Sequence, residues 1–424
     1  MSTICPIERS QPKVLVLGAS AEFVPFLDRL MEEGLSVVCF DKNIALPNDY
    51  IARHQDQLTC YPIDFSDTQK VIEIVAKEHI SHSIALPVGR ALVHLGTINE
   101  QCHIAGPSFK AIDTLTDKNK FHEFCSQYKL NDCPYVLLED CSLEQRKAKL
   151  ELIEKTLGYP MIIKPTYGSG SLGAALINNR QELLAYQAPE RFINDTLLVE
   201  KYIDGTEYNI NTFVDDKGVC HILALFQKDI TKPPYRQETA YYVDDYSKDG
   251  LKLLELFNEV AKLLNLKSCF LSADAFVGKD NKPYIIDISP RLTGNNVLQL
   301  ICYLGNNPLA VYKRCVVDKK ELVLNKTIKP ACVRFFDFDK EIIYGRNQEQ
   351  AKDNELGKLS SVFNEQEQKL VVDYENNLVL GQSYGTMTCG HDIYRGFIFV
   401  SCDNLAQADE LSRRYVKSLE RMIS

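Results

Sequence analysis

The 424-residue chain has no basic surplus, no long apolar run and no paired-cysteine motif, and each absence removes a class of function. Its 48 Lys and Arg stand against 57 Asp and Glu, a formal net charge of −9. No bulk basic surface therefore exists to neutralise nucleic-acid phosphates, although a local patch for a small anion remains open. No stretch approaches about 18 consecutive apolar residues, so no membrane-spanning helix is expected. Met1 to Lys13 carries Glu8 and Arg9 without an apolar segment and does not read as a signal peptide. The 14 cysteines are scattered with no CxxC spacing. That pattern favours reduced, mostly buried thiols in a cytoplasmic protein over a disulfide framework. Internal repeats and low-complexity tracts are also missing.

What remains is a globular composition, 45% hydrophobic and 25% charged, over a length that suits two or three domains. Val14 to Leu17 reads as a strand, Gly18-Ala19-Ser20 as a turn, and Phe23 to Met31 as a helix ended by Gly34. A second strand, Leu35 to Phe40, a helix over Thr68 to Glu78 and a strand over Ser83 to Leu86 continue the alternation of an open parallel sheet. Gly106-Pro107-Ser108 marks a boundary, and one helix is expected over Asp113 to Tyr128. A strand-rich unit follows from Tyr135, with strands at 161–164, 174–177, 197–202, 208–214 and 220–227. An amphipathic helix over Leu251 to Leu264 precedes a hairpin of Cys269 to Val277 with Pro283 to Ile288. Beyond Pro308 come a short helix, strands at 331–336, 370–373 and 396–400, and a terminal helix from Leu405 to about Met422.

Five segments carry candidate chemistry. The first turn keeps only Gly18 of the three glycines that a dinucleotide fold uses, with Ser20 and Phe23 at the other two places and Asp41 as a candidate ribose acid. A scaffold without a dinucleotide and a dinucleotide site both stay open on that signal. The loop Gly168-Ser169-Gly170-Ser171-Leu172-Gly173 lies between two strands, and its free N–H groups suit a lid over phosphates. It is not a Walker A loop, and a plain turn is the alternative. Lys164 ends an apolar strand, where burial demands an anion such as a phosphate unless the side chain reaches solvent.

Glu200-Lys201-Tyr202-Ile203 with Glu207 could meet an adenine edge and ribose hydroxyls, or be an ordinary strand end. Asp274 and Asp287 sit on paired strands within apolar runs, where Mg²⁺ with phosphate oxygens would compensate their charge. Strand alternation carried through Pro290 places Asp287, Ser289 and Arg291 on one face. A magnesium-held phosphate would then lie beside a guanidinium that orients an anion. A structural salt bridge between Arg291 and one aspartate is the alternative.

Taken in order, Asp117-Lys118, Ile163-Lys164-Pro165, Gly168 to Gly173, Glu200 to Ile203, Glu207, Asp274 and Asp287-Ile288-Ser289-Pro290-Arg291 resemble the ATP-grasp superfamily over roughly residues 107–300. The branch they resemble holds carboxylate–amine ligases and biotin carboxylase-like enzymes. The resemblance implies an α/β architecture of three parts. These are a Rossmann-like pre-ATP-grasp domain (1–106), an ATP-grasp domain (107–310, with a mobile lid at about 130–200) and a small C-terminal α+β domain (311–424). It also implies ATP and Mg²⁺. Lys118 and Lys164 would touch phosphates beside the Gly168-Ser169-Gly170 loop, Glu200, Lys201 and Ile203 adenine, and Glu207 ribose. Asp274, Asp287 and Ser289 would hold the metal, and Arg291 with Lys164 would act catalytically. The family usually has Glu and Asn where Asp287 and Ser289 stand, and both replacements shorten the ligand.

The activity implied is ADP-forming ligation of a small carboxylate to an amine through an acyl phosphate. A carboxylase acting through carboxyphosphate and a nucleotide-binding module without turnover are the competing readings. No Met-Lys-Met biotin-attachment context is present, so any biotin arm would be a separate protein. Lys228, Arg236 and Glu238, expected in a loop after the 220–227 strand, are candidates for substrate specificity. Nucleic acid and membrane are not expected as partners, and dimers, common in the family, leave room for a homodimer.

Overall fold

A computed structural model describes residues 11–130, 133–168, 172–233, 235–345 and 358–421. The chain opens with β1 (Lys13–Leu17), β2 (Ser36–Phe40), β3 (Leu58–Tyr61) and β4 (His82–Ile84), a parallel sheet in the order β3-β2-β1-β4. Its central strand shows why the sequence runs apolar without alternation. Val14 and Val16 enter one core with Phe26 and Leu30, while Leu15 and Leu17 enter another with Val71 and Ile98. A strand covered on both faces needs apolar side chains on both.

Helix Phe109–Thr116 follows, capped by Ser108, and then helix Lys118–Tyr128. The single helix expected over Asp113 to Tyr128 is therefore broken. Asp117 takes an extended conformation (φ −107°, ψ 111°), and its Oδ1 accepts from the N–H groups of Asn119 at 3.0 Å and Lys120 at 3.2 Å. Aspartate competes for backbone donors and prefers the cap to the helix interior. The break makes Lys118 the first residue of its helix.

A second, antiparallel sheet holds β5 (Tyr135–Leu138), β6 (Met161–Pro165), β7 (Ala175–Ile177) and β8 (Leu197–Lys201) in the order β5-β8-β6-β7. It rests on its own small core, in which Ile153, Ile163 and Val199 are fully buried.

The largest sheet has eight antiparallel strands. Five come before residue 290: β9 (Gly205–Val214), β10 (Cys220–Ile230), β11 (Glu238–Val243), β12 (Cys269–Gly278) and β13 (Pro283–Ser289). Then come β14 (Ala331–Phe335), the short β15 (Ile342–Ile343), β16 (Val371–Asn376), the short β17 (Ser383–Tyr384) and β18 (Gly396–Ser401). The order β13-β12-β9-β10-β11-β14-β18-β16 makes the C-terminal strands an extension of the same sheet, and β15 pairs with β17 alone. Strand β11 was not anticipated, yet it joins β10 to β14 through Lys228↔Tyr241 and Ala240↔Arg334. At the start of β9 only glycine fits, because a Cβ on Gly205 would lie 2.3 Å from the Val277 carbonyl oxygen. Helix Ser247–Leu263 covers one face of the sheet, with Leu253, Phe257 and Val260 fully buried.

Candidate active site

Lys164 and Glu200 lie on neighbouring strands β6 and β8, and both side chains are almost fully buried. Lys164 Nζ is 2.7 Å from Glu200 Oε2, and His122 Nε2 is 2.6 Å from Oε1. Burial acts most strongly on the Glu200 carboxyl and pushes it up. The Lys164 ammonium and the His122 contact together outweigh it and hold the group down at about 2. The anion expected beside Lys164 is thus supplied, in this structure, by the protein. Lys164 Nζ also donates to the Ile286 carbonyl at 3.3 Å, tying the small antiparallel sheet to β13.

That carbonyl is available because the β12–β13 ladder slips by one residue. Asp274 faces Asp287 but Ala275 faces Ile285, which leaves Ile286 as the extra residue of a bulge. The bulge sits beside the two aspartates. Lys118 reaches the same place from its helix start, with Nζ 3.3 Å from Asp287 Oδ2 and donating to Gly168 O at 3.1 Å. Of the glycine loop, Ser169, Gly170 and Ser171 lie outside the described residues. Its return at Gly173 has φ +80°, a conformation that favours glycine.

A second buried cation organises the other end. Lys228 Nζ lies 3.0 Å from Glu207 Oε1, 3.0 Å from Glu238 Oε1 and 3.2 Å from Asp274 Oδ2. Arg236 Nη2 holds the second oxygen of Glu207 at 2.7 Å. Burial alone would lower the Lys228 pKa, but these carboxylates raise it well above the ordinary lysine value. Asp274 is the converse case. Burial raises its pKa, and Lys228 with the Asn209 amide brings it below the usual carboxylate range. The expected loop location of Lys228 and Glu238 is corrected here: they stand on β10 and β11, and only Arg236 lies in the connection. A buried cation amid four strands fixes the carboxylates more firmly than a loop could.

Lys201 and Ile203 line the same cavity as Lys118, Lys164, Glu200 and Glu207. The Lys201 N–H is already committed to the Pro134 carbonyl at 3.0 Å.

A second cavity is lined by Ser272, Ser289, Arg291, Thr293 and Tyr394 among others, and Glu238, Asp274 and Asp287 line both. Arg291 reaches it by a different route from the one expected. Strand β13 ends at Ser289, and the Arg291 N–H turns back to donate to Ser289 O at 2.9 Å, so strand alternation does not extend through Pro290. Proline restricts the residue before it and cannot continue the ladder. The turn still delivers the guanidinium, whose Nη1 donates to Leu292 O at 2.6 Å. Burial lowers the Arg291 pKa, and Asp287 and Asp274 oppose that.

Sequence reasoning missed His122, Asn209, Tyr241, Thr293 and Tyr394. Two had a signal: His122 is four residues past Lys118 on one helix, and Asn209 is two past Glu207 on one strand, so each shares its neighbour's face.

The donor chemistry for a divalent cation fits Asp274 and Asp287. They are register partners and hard oxygen ligands, with Lys118 beside Asp287 and Lys228 and the Asn209 amide on Asp274. Ser289, two residues along β13 from Asp287, lines the second cavity with both. Among the described residues no cluster of three or more His, Cys, Asp or Glu competes for a metal. None of their helices is long and apolar enough to cross a membrane.

Residues 157–299 match the family model of the ATP-grasp domain. The carbamoyl phosphate synthase large chain of Caldanaerobacter subterraneus subsp. tengcongensis is 26% identical over 304 residues, 66% of this chain but 27% of the relative. The chain thus spans about a quarter of the length of that curated relative. Among solved structures, the L-amino acid ligase from Bacillus licheniformis superposes with a TM-score of 0.68 at 18% identity, covering 97% of this chain and 98% of that one. The N5-carboxyaminoimidazole synthetase from Staphylococcus aureus, solved with ADP, gives 0.62 at 15% identity over 96% and 98%.

Proposed function

Because the chain carries an ATP-grasp domain, we propose that it is an ADP-forming ligase that activates a carboxylate as an acyl phosphate for attack by an amine. The observation that carries this reading is the pair of cavities meeting at Asp274 and Asp287. A nucleotide on one side and a carboxylate on the other would bring the γ-phosphate and its acceptor together at that wall. In the first step a carboxylate oxygen attacks the γ-phosphorus and the bond to the β–γ bridging oxygen breaks, releasing ADP. In the second the amine nitrogen attacks the acyl carbon, the bond from that carbon to the phosphate oxygen breaks, inorganic phosphate leaves and the nitrogen loses a proton.

In this assignment Lys118 and Lys164 hold phosphates. Glu200, Lys201 and Ile203 bound the adenine end, Lys201 through its carbonyl because its N–H is engaged, and Glu207 takes ribose. Asp274 and Asp287, with Ser289, would hold Mg²⁺, which when bound offsets phosphate charge. Arg291 orients the anionic acyl phosphate and its tetrahedral successor. We further propose the units 1–106, 107–310 and 311–424, with a lid at about 130–200, in a cytoplasmic protein. The parallel sheet precedes residue 106 and the small antiparallel sheet spans 135–201.

A carboxylase phosphorylating bicarbonate is the second reading, favoured by the name of the curated relative. ADP release with ATP, Mg²⁺ and either amino acids or bicarbonate decides between them. Release dependent on an amino acid is expected; release with bicarbonate alone selects the carboxylase, and none with any carboxylate removes both.

A further inference from the structure

The second cavity is lined by one cation, Arg291, and three carboxylates, Glu238, Asp274 and Asp287, among the described residues. A phosphate monoester carries a charge of about −1.5 to −2 and calls for several Arg or Lys donors. Lys228 already pairs with Glu238 and Asp274 and Lys118 with Asp287, and neither lysine lines the cavity, so among the described lining residues Arg291 is the one cation left to meet a phosphate. With Asp274 and Asp287 turned to a divalent cation, the charged side chains left to face a ligand in this cavity are one of each sign, Arg291 and Glu238. Lys228 grips Glu238 at Oε1, which fixes the carboxylate in place on β11. Asn209, Ser272, Ser289 and Thr293 add neutral polar groups near the aspartates, and Val297, Phe335, Ile393 and Tyr394 give the wall an apolar and aromatic side.

The last two residues come from far along the chain, in the turn Gly390–Arg395. That turn is pinned. The Asp392 carboxylate accepts from the Thr388 N–H at 2.7 Å and the Cys389 N–H at 3.1 Å, and pairs with Arg395 at 2.8 Å. Arg395 Nη1 also donates to Gly385 O at 2.6 Å. A side-chain pocket with a fixed wall distinguishes ligands by size.

We infer that the second cavity takes a zwitterionic α-amino acid with an apolar side chain and no phosphate. Its carboxylate meets Arg291 beside the aspartate wall, its ammonium meets Glu238, and its side chain lies against Phe335, Ile393 and Tyr394. Tyr394 is then a specificity-determining residue supplied by the C-terminal part of the chain. This inference rests on the ligase reading and goes further by naming the carboxylate.

The test uses the full chain with ATP, Mg²⁺ and hydroxylamine as acceptor, following ADP and hydroxamate. The panel holds leucine, phenylalanine, 4-methylpentanoate (which lacks the ammonium), phosphoserine and bicarbonate. Leucine or phenylalanine should support ADP release, with 4-methylpentanoate at least about 10-fold lower in kcat/KM. Tyr394→Ala should raise the KM for phenylalanine by about 10-fold, the loss expected when part of an aromatic contact is removed, with the KM for ATP within about twofold. Calorimetric titration of phenylalanine into both proteins gives the same comparison without turnover. Preference for phosphoserine or 4-methylpentanoate, or unchanged phenylalanine affinity in Tyr394→Ala, overturns the inference and leaves the ligase intact. ADP release with bicarbonate alone, or with no member of the panel, removes the ligase reading as well.

Discussion

Glu200 shows how a buried charge is kept. Its carboxylate is shielded from water but held by an ammonium and an imidazole within 2.7 Å. Removing one partner of such a pair leaves the other buried and uncompensated, at a cost of about 3–5 kcal/mol. Lys164→Ala should therefore lose that much stability in urea melts as well as ATP affinity; a change below about 1 kcal/mol with normal ATP binding would contradict both roles. The same group sets a pH dependence. An unfolded chain protonates this carboxyl near its ordinary value of 4.5, the folded chain only at about 2. The stabilisation is thus complete above pH 4.5 and is lost as pH falls toward 2. Glu200→Gln should cost roughly 3 kcal/mol near neutral pH, with the difference from wild type shrinking across that window. A difference that stays constant from pH 6 to 3 would count against the assignment.

Secondary structure positions these groups through two irregularities, and neither was read from the sequence. The first is the helix break at Asp117. Asp113 to Tyr128 has helical spacing throughout, and only the capping chemistry of one aspartate interrupts it. Asp117→Ala removes the two cap bonds and the contact from Tyr167 Oη, and should cost about 1–2 kcal/mol. Because Lys118 begins the second helix, the KM for ATP should rise too; a thermal melt and a KM series on one preparation separate the effects, and an unchanged KM would show that the cap serves the fold alone. The second irregularity is the bulge at Ile286, which period-two alternation cannot reveal, because the slip depends on the partner strand. Strand β11 escaped for a related reason: Glu238 to Val243 follows a proline-containing connection, and its pairing with β14 involves residues 88 to 94 positions away. What sequence made plain were the buried parallel strand β1, the 269–289 hairpin and the terminal helix, where burial on known faces fixes the period.

Across the whole molecule, distant segments meet at one wall. Lys118 comes from the helix pair, Lys164 and Glu200 from the small sheet, Asp274 and Asp287 from the large one, and Tyr394 from the C-terminal part. Ordered motifs made the first five legible: Lys118, Lys164 and Glu200 at or next to a helix or strand end, and Asp274 and Asp287 as charges inside apolar paired strands. Tyr394 was not legible, because an aromatic residue in a turn carries no charge to mark it and owes its place to tertiary packing. The central claim is that Asp287 serves phosphoryl transfer at this wall, not structural pairing with Lys118 or Arg291. It is tested by measuring carboxylate-dependent ADP formation and melting temperature together for wild type and Asp287→Asn, which keeps the shape and removes the charge. The account predicts a kcat lowered by at least about 100-fold, ATP affinity within a few-fold and a nearly unchanged melting temperature. Near-normal ADP formation by a protein that melts markedly earlier would contradict it.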